Sequence, residues 1–130
     1  AAVNQATTTD GVTALYYAAE KGDTKVVNLL VNKGAAVNQA RTTDGSTPLF
    51  IAAQNGHAEV VGLLVNAGAA MNQAMANTCA TPLFIAAENG HTKVVDLLVN
   101  KGAAVNQART ASGSTPLIIA AEKGHTKVVG

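Results

Sequence analysis

The sequence predicts an all-α repeat fold: a solenoid of short helix–turn–helix units joined by projecting β-turn or hairpin loops. Three observations predict it. The segment Thr47-Pro48-Leu49 recurs as Thr81-Pro82-Leu83 and Thr115-Pro116-Leu117, a fixed step of 34 residues, and Thr13-Ala14-Leu15 holds the same place one step earlier with Ala14 for the proline. Glycines keep that step at Gly22, Gly56, Gly90 and Gly124, and again at Gly34, Gly68 and Gly102. Between these markers the apolar residues fall at helical spacing. A period shared by unrelated residue types marks a tandem array, in which each unit relies on its neighbours for burial.

Each unit reads as two helices. Thr47 is a good N-cap and Pro48 stands at the first helical position, where its missing N–H costs nothing. Leu49, Ala52 and Ala53 follow at i, i+3 and i+4 and make one apolar face. Gly56 ends this helix, since glycine tolerates a left-handed C-terminal cap. The second helix is expected from about Ala58 to Asn66, with Gly68 ending it. Val60, Val61, Leu63, Leu64 and Val65 make it apolar over more than half its circumference, so it needs cover on two sides. The stretch Ala69 to Ala80 is polar and helix-poor, and Asp44-Gly45 in the preceding unit is a strong tight-turn signal.

Composition narrows the function classes. A chain of 130 residues with 48% hydrophobic content can bury a sizeable core. That content is Ala, Val and Leu with four aromatic side chains and no Trp, which suits closely approaching helices better than a pocket for a large flat ligand. Nine basic and eight acidic residues, scattered along the chain, give a formal charge of +1 without the basic stripe that neutralises phosphates. No nucleic-acid partner is expected. Nor is a membrane, because no apolar run approaches the roughly 20 residues that span a bilayer. The opening segment AAVNQATTTD lacks the basic and apolar regions of a secretory signal. The lone Cys79 cannot form an internal disulfide, so folding needs no oxidising compartment, which favours a cytoplasmic setting over others.

The unit around Gly45 carries Gly45-Ser46-Thr47-Pro48-Leu49, Ala52-Ala53, Gly56-His57, Val60-Val61-Gly62-Leu63-Leu64, Gly68-Ala69 and Asn72. In that order these residues resemble the ankyrin repeat closely, and the likeness recurs in all four units. The resemblance divides the chain into the tail of a preceding repeat (1–10), repeats at 11–44, 45–78 and 79–112, and a truncated repeat at 113–130. Tetratricopeptide repeats share the 34-residue length, but their Trp and Leu-Gly signature is absent. Three departures stand out. The usual ankyrin period is 33, so each unit holds one extra residue, placed between Asn38 and Gly45 and at the equivalent points. The family's His after Thr-Pro-Leu is replaced by Tyr16, Phe50, Phe84 and Ile118, so apolar packing should replace its hydrogen bonds. Cys79 stands where Gly11, Gly45 and Gly113 occupy the turn. Neither end carries a polar capping repeat, so a piece of a longer array, natural or of consensus-like design, is expected.

Residues with chemical potential all have plainer readings. His57, His91 and His125 form a column, with Asp23 in the first unit. Packed helices lie about 8–10 Å apart, too far for two such imidazoles to share a zinc at about 2.0–2.1 Å each, so each should bond nearby backbone. Cys79 has no neighbouring His and reads as a substituted turn residue. Tyr16 and Tyr17 read as packing and surface residues, and Met71 and Met75 as core filling. No phosphate loop, dinucleotide fingerprint or Ser-His-Asp order occurs. The expectation is a chain that is not an enzyme and carries no catalytic residue, metal or cofactor.

Positions that vary between otherwise identical units are those packing does not dictate. The ends of the first helices supply Glu20, Lys21, Gln54, Asn55, Glu88, Asn89, Glu122 and Lys123. The loops supply Thr43, Asp44, Asn77, Thr78, Ala111 and Ser112, with Ser46 at the base of one of them. The ankyrin resemblance implies that these two sets line a concave groove and its rim, where another protein binds. Lys25, Glu59, Lys93 and Lys127 begin the second helices and should face the other side. The loops are poor in the Trp, Tyr and Arg that dominate hot spots. A scaffold or spacer array, or a designed repeat protein with no specific partner, is therefore the first alternative, and an accessory module of a larger catalytic protein the second. Uncapped terminal repeats also suggest end-to-end self-association.

Overall fold

The structure is a computed structural model, which describes Ala6, residues 11–75 and residues 80–102. Among the described residues there are six α-helices and no strand: α1 Ala14–Lys21, α2 Thr24–Asn32, α3 Pro48–Gln54, α4 Ala58–Asn66, α5 Pro82–Glu88 and α6 Thr92–Asn100. Each pairs with its successor as α1·α2, α3·α4 and α5·α6. Between pairs, α1 packs on α3 and α3 on α5, while α2 packs on α4 and α4 on α6. The result is two stacked layers, one of first helices and one of second helices.

The helices begin and end where local chemistry requires. Thr13, Thr47 and Thr81 are N-caps whose hydroxyls accept from Tyr16 N, Phe50 N and Phe84 N at 3.2, 3.1 and 3.1 Å. All three threonines are buried, so without these bonds the first-turn N–H groups would have neither water nor a partner. Pro48 and Pro82 follow directly in the first turn. At the other end Gly22 has φ 73°, and the next N–H, that of Asp23, returns to Ala18 O at 3.0 Å. His57 N to Ala52 O and His91 N to Ala86 O, both 2.9 Å, repeat the closure. This is the six-to-one bond of a Schellman cap, which needs a left-handed residue beside it.

The core runs unbroken through the stack. Leu15, Leu49 and Leu83 are buried in one column, and Ala19, Ala53 and Ala87 in another. The alanines let adjacent first helices approach closely. Val27, Val61 and Val95, with Leu64 and Leu98, bury the inner sides of the second helices. Met71 and Met75 pack against this core from the connecting stretch, as expected. Between α2 and α3, Arg41 N donates to Ser46 O and Gly45 N to Arg41 O, both 2.8 Å. The loop is thus a tight turn with hairpin-like closure and no paired strands. The corresponding bond after α4 is Met75 N to Ala80 O at 2.9 Å.

Two stability predictions follow from this packing. Leu64→Ala should cost about 2–5 kcal/mol in denaturant unfolding, because Leu64 is fully buried between layers. Cys79 lies outside the described residues, but its equivalents Gly11 and Gly45 have φ 71° and 76°. A side chain at such a position costs about 1 kcal/mol. Gly45→Cys should therefore lower Tm by about 3–5 °C, measured by a thermal melt.

Candidate functional site

The surface available to a partner is shaped by contacts between helix pairs. At the end of α1, Glu20 O accepts from Asn55 Nδ2 at 3.0 Å and lies 3.0 Å from His57 Nε2. At the end of α3, Gln54 O accepts from Asn89 Nδ2 at 3.1 Å and lies 2.9 Å from His91 Nε2. Each is a helix-end carbonyl with no partner in its own helix. The following pair reaches back and satisfies it. The imidazole sits where the preceding glycine has no side chain: a Cβ at Gly22 would lie 2.6 Å from His57 Nδ1, and one at Gly56 2.7 Å from His91 Nδ1. His57 and His91 bond backbone, as expected, and the backbone belongs to the pair before.

Asp23 occupies the same column and does something else. Its Oδ1 accepts from Val26 N at 3.2 Å and caps its own helix α2, whereas His57 and His91 make no such cap to α4 and α6. A carboxylate can only accept at this position, and an imidazole N–H can reach a carbonyl. One column therefore serves either its own helix or its neighbour.

The first loop is held by a second polar cluster. Arg41 donates to Asp44 through Nε at 3.1 Å and through a second guanidinium nitrogen. Arg41 also lies over the Tyr16 ring, 5.4 Å from its centroid. Asp44 accepts from Ser46 N at 3.0 Å, and the Tyr16 hydroxyl donates to Ser46 Oγ at 3.0 Å. Hydrogen bonds from Arg41 hold the Asp44 carboxyl below its ordinary 3.8, with burial opposing them. Burial pushes the Tyr16 phenol above its ordinary 10.0, and the Ser46 bond partly offsets the rise. Apolar packing therefore does not wholly replace polar contacts at the Tyr16 column. Phe50 and Phe84 are buried without a hydroxyl, but Tyr16 keeps a hydrogen bond because Ser46 stands opposite.

The variable positions separate accordingly. Lys21, Thr43, Gln54, Asn55 and Asn89 are exposed, and Glu20 and Glu88 are half-buried. Asp44 is half-buried and engaged by Arg41. Ser46 requires a correction: it is 1% exposed, and its hydroxyl is directed at Tyr16 rather than at solvent. The neighbouring Asp44-Gly45 turn made Ser46 look like a loop residue, although it already belongs to the packed approach to α3. Asn77, Thr78, Ala111, Ser112, Glu122 and Lys123 lie outside the described residues. Sequence reasoning missed the Asn55 and Asn89 clasps, which remain exposed while bonding backbone across a junction. It also missed the Arg41 cluster. The legible signal was that Tyr16, Arg41, Asp44 and Ser46 all change together one step later, to Phe50, Met75, Thr78 and Ala80.

Lys25, Glu59 and Lys93 are exposed at the starts of the second helices. An open depression of about 530 Å³ lies there, lined by Gly22, Thr24, Gly56, His57, Glu59 and Lys93. Among the described residues no three His, Cys, Asp or Glu side chains gather as a metal group would require, and no helix is long and apolar enough to cross a membrane.

Stacked helix pairs, each clasping the last and each adding a short polar stretch to one continuous surface, define a repeat solenoid. The sequence matches the family described as ankyrin repeats (3 copies) over residues 1–75 and 70–130, and the chain belongs to the ankyrin repeat family. Members are in general protein-interaction modules and typically non-catalytic. No curated protein matches the sequence.

The Arg41 cluster predicts a stability profile with two limbs. A lowered Asp44 contributes stability that is present above its unfolded value and lost as pH falls below 3.8. A raised Tyr16 contributes stability that is present below 10.0 and lost as pH rises beyond it. Tm against pH should show a shallower acid limb in Asp44→Asn and a shallower alkaline limb in Tyr16→Phe. At neutral pH Tyr16→Phe alone should cost about 1 kcal/mol, whereas Tyr16→Phe with Ser46→Ala should be nearly neutral, because no buried hydroxyl is then left unpaired.

Proposed function

We propose that this chain is a binding module for another protein, contacted through the exposed ends of the first helices and the adjoining loops, and that it performs no catalysis itself. The units are taken as 11–44, 45–78, 79–112 and 113–130, with 1–10 the tail of a preceding repeat. The observation that carries the reading is a division within each pair. Residues buried in the stack repeat almost unchanged, while exposed positions change along their columns: Lys21 gives way to Asn55 and Asn89, and Gln54 stands between Glu20 and Glu88. Packing imposes the first pattern and leaves the second to be set by whatever touches the surface. Glu20 and Glu88 flank Gln54 in that column, and Thr43 stands at the loop tip. Ser46 is excluded because it is buried.

The test compares two multiple variants by affinity capture followed by quantitative mass spectrometry. Lys21→Ala, Thr43→Ala, Gln54→Ala and Glu88→Ala together should deplete specific partners by about tenfold or more, with Tm held within a few degrees. Lys25→Ala, Glu59→Ala and Lys93→Ala on the second helices should leave capture unchanged. Equal capture by both would show that the partner does not use the groove, and would favour a spacer role.

A further inference from the structure

We propose that Asn55-Gly56 and Asn89-Gly90 are self-modifying sites, at which the asparagine cyclises onto the next residue and hydrolyses to aspartate or isoaspartate when the junction it clasps opens. They are the two Asn-Gly steps in the sequence. Glycine matters here because it has no side chain to obstruct the approach of its main-chain nitrogen to the asparagine amide. The first unit carries Lys21-Gly22 at the same point and has no amide to react. Asn55 and Asn89 are both exposed, so water and base reach them.

The chemistry needs nothing beyond the chain and water. The Gly56 nitrogen loses its proton to solvent base and bonds to Asn55 Cγ. The Cγ–Nδ2 bond breaks, and the amide nitrogen takes up a proton and leaves as ammonia. Water then opens the five-membered imide at one of its two carbonyl carbons. Opening at Cγ gives aspartate. Opening at the main-chain carbonyl gives isoaspartate, with the chain rerouted through the side chain. One water is consumed and one ammonia released, with no change of oxidation state.

The closed junction restrains every participant. Asn55 has φ −91° and ψ 0°, and Asn89 φ −90° and ψ 1°. Ring closure requires a large rotation of ψ into space that sterics disfavour. The attacking nitrogens are engaged, Gly56 N with Ala53 O and Gly90 N with Ala87 O, both at 3.2 Å. The departing amides are engaged too, by Glu20 O at 3.0 Å and Gln54 O at 3.1 Å. The helix end must unwind and the clasp let go before the ring forms, so conversion records local openings of the stack. It also favours further opening. A carboxylate at position 55 can only accept and faces the Glu20 carbonyl oxygen without a donor, at a helix C-terminus where negative charge is disfavoured. Isoaspartate adds a main-chain atom just before the turn in which His57 N returns to Ala52 O. The inference does not depend on the partner surface proposed above.

Peptide mapping by mass spectrometry, on the 130-residue chain aged in mildly alkaline buffer, tests it. Conversion is expected at Asn55 and Asn89 and not at Asn28, Asn32 or Asn66, and at least about tenfold more slowly than in the same chain unfolded in urea. His57→Ala removes the other clasp on Glu20 O and should speed conversion of Asn55 by about two- to tenfold, with Asn89 less affected. If that variant does not fold, a rise in the native chain's rate with urea below the unfolding midpoint reads the same gate. Asn55→Asp should melt at a lower temperature than the unmodified chain, whereas Lys25→Asp should melt as it does. Equal rates in folded and unfolded chains, no conversion in the folded chain while the unfolded one converts fully, or an Asn55→Asp melt unchanged from the parent would overturn the proposal.

Discussion

Helices of seven to nine residues, the lengths of α1 to α6, gain little from their own hydrogen bonds, since nucleation consumes much of what a short helix recovers. Burial must make up the difference, and the second helices are apolar on more sides than their own partner covers. Val60 is sealed only because α2 lies across it. That requirement, that each pair finish the core of the next, underlies everything else in the molecule. It explains why the buried columns are monotonous and why small alanines recur where backbones approach. It also explains why freedom to vary is pushed to helix ends and loop tips.

Much of this was readable before any coordinates. The threonine caps, the prolines behind them and the left-handed glycines are local signals, each with one mechanical meaning, and they placed the start of α3 and the extent of α4. Tyr16 and Tyr17 were read together as packing and surface residues, without a separate role for each, and the structure buries the first and exposes the second. The contacts that join pairs were not legible in the same way. That Asn55 bonds a backbone carbonyl 35 residues earlier leaves no trace in local periodicity, because the acceptor is a main-chain group that every residue possesses. Ser46 was misplaced for a related reason. Its polarity and its neighbours suggested a loop, whereas its burial is set by a tyrosine in the preceding pair.

The two junctions in the described structure reach the same end by different means. At the first, Tyr16, Arg41, Asp44 and Ser46 satisfy one another, and every buried polar atom among them acquires a partner. At the second, Phe50 and Ala80 meet the same geometry without polar groups. Setting Tyr16 opposite an alanine in place of Ser46 would strand its hydroxyl in the interior. Tyr16 and Ser46 are therefore best exchanged together.

The clasp at the helix-end carbonyls gives the stack a direction. His57 and Asn55 reach backwards, and nothing in α1 or α2 reaches forwards in the same way. Detaching a leading pair leaves the Asn55 amide and the His57 imidazole of the following pair without their seat. Detaching a trailing pair frees, at the clasp itself, a main-chain oxygen at a helix end, where water can take over, and elsewhere parts the Tyr16 hydroxyl from Ser46. The two termini of such an array are thus mechanically unequal. A pull on one end would meet a different first resistance from a pull on the other, although the residues along the chain are almost the same.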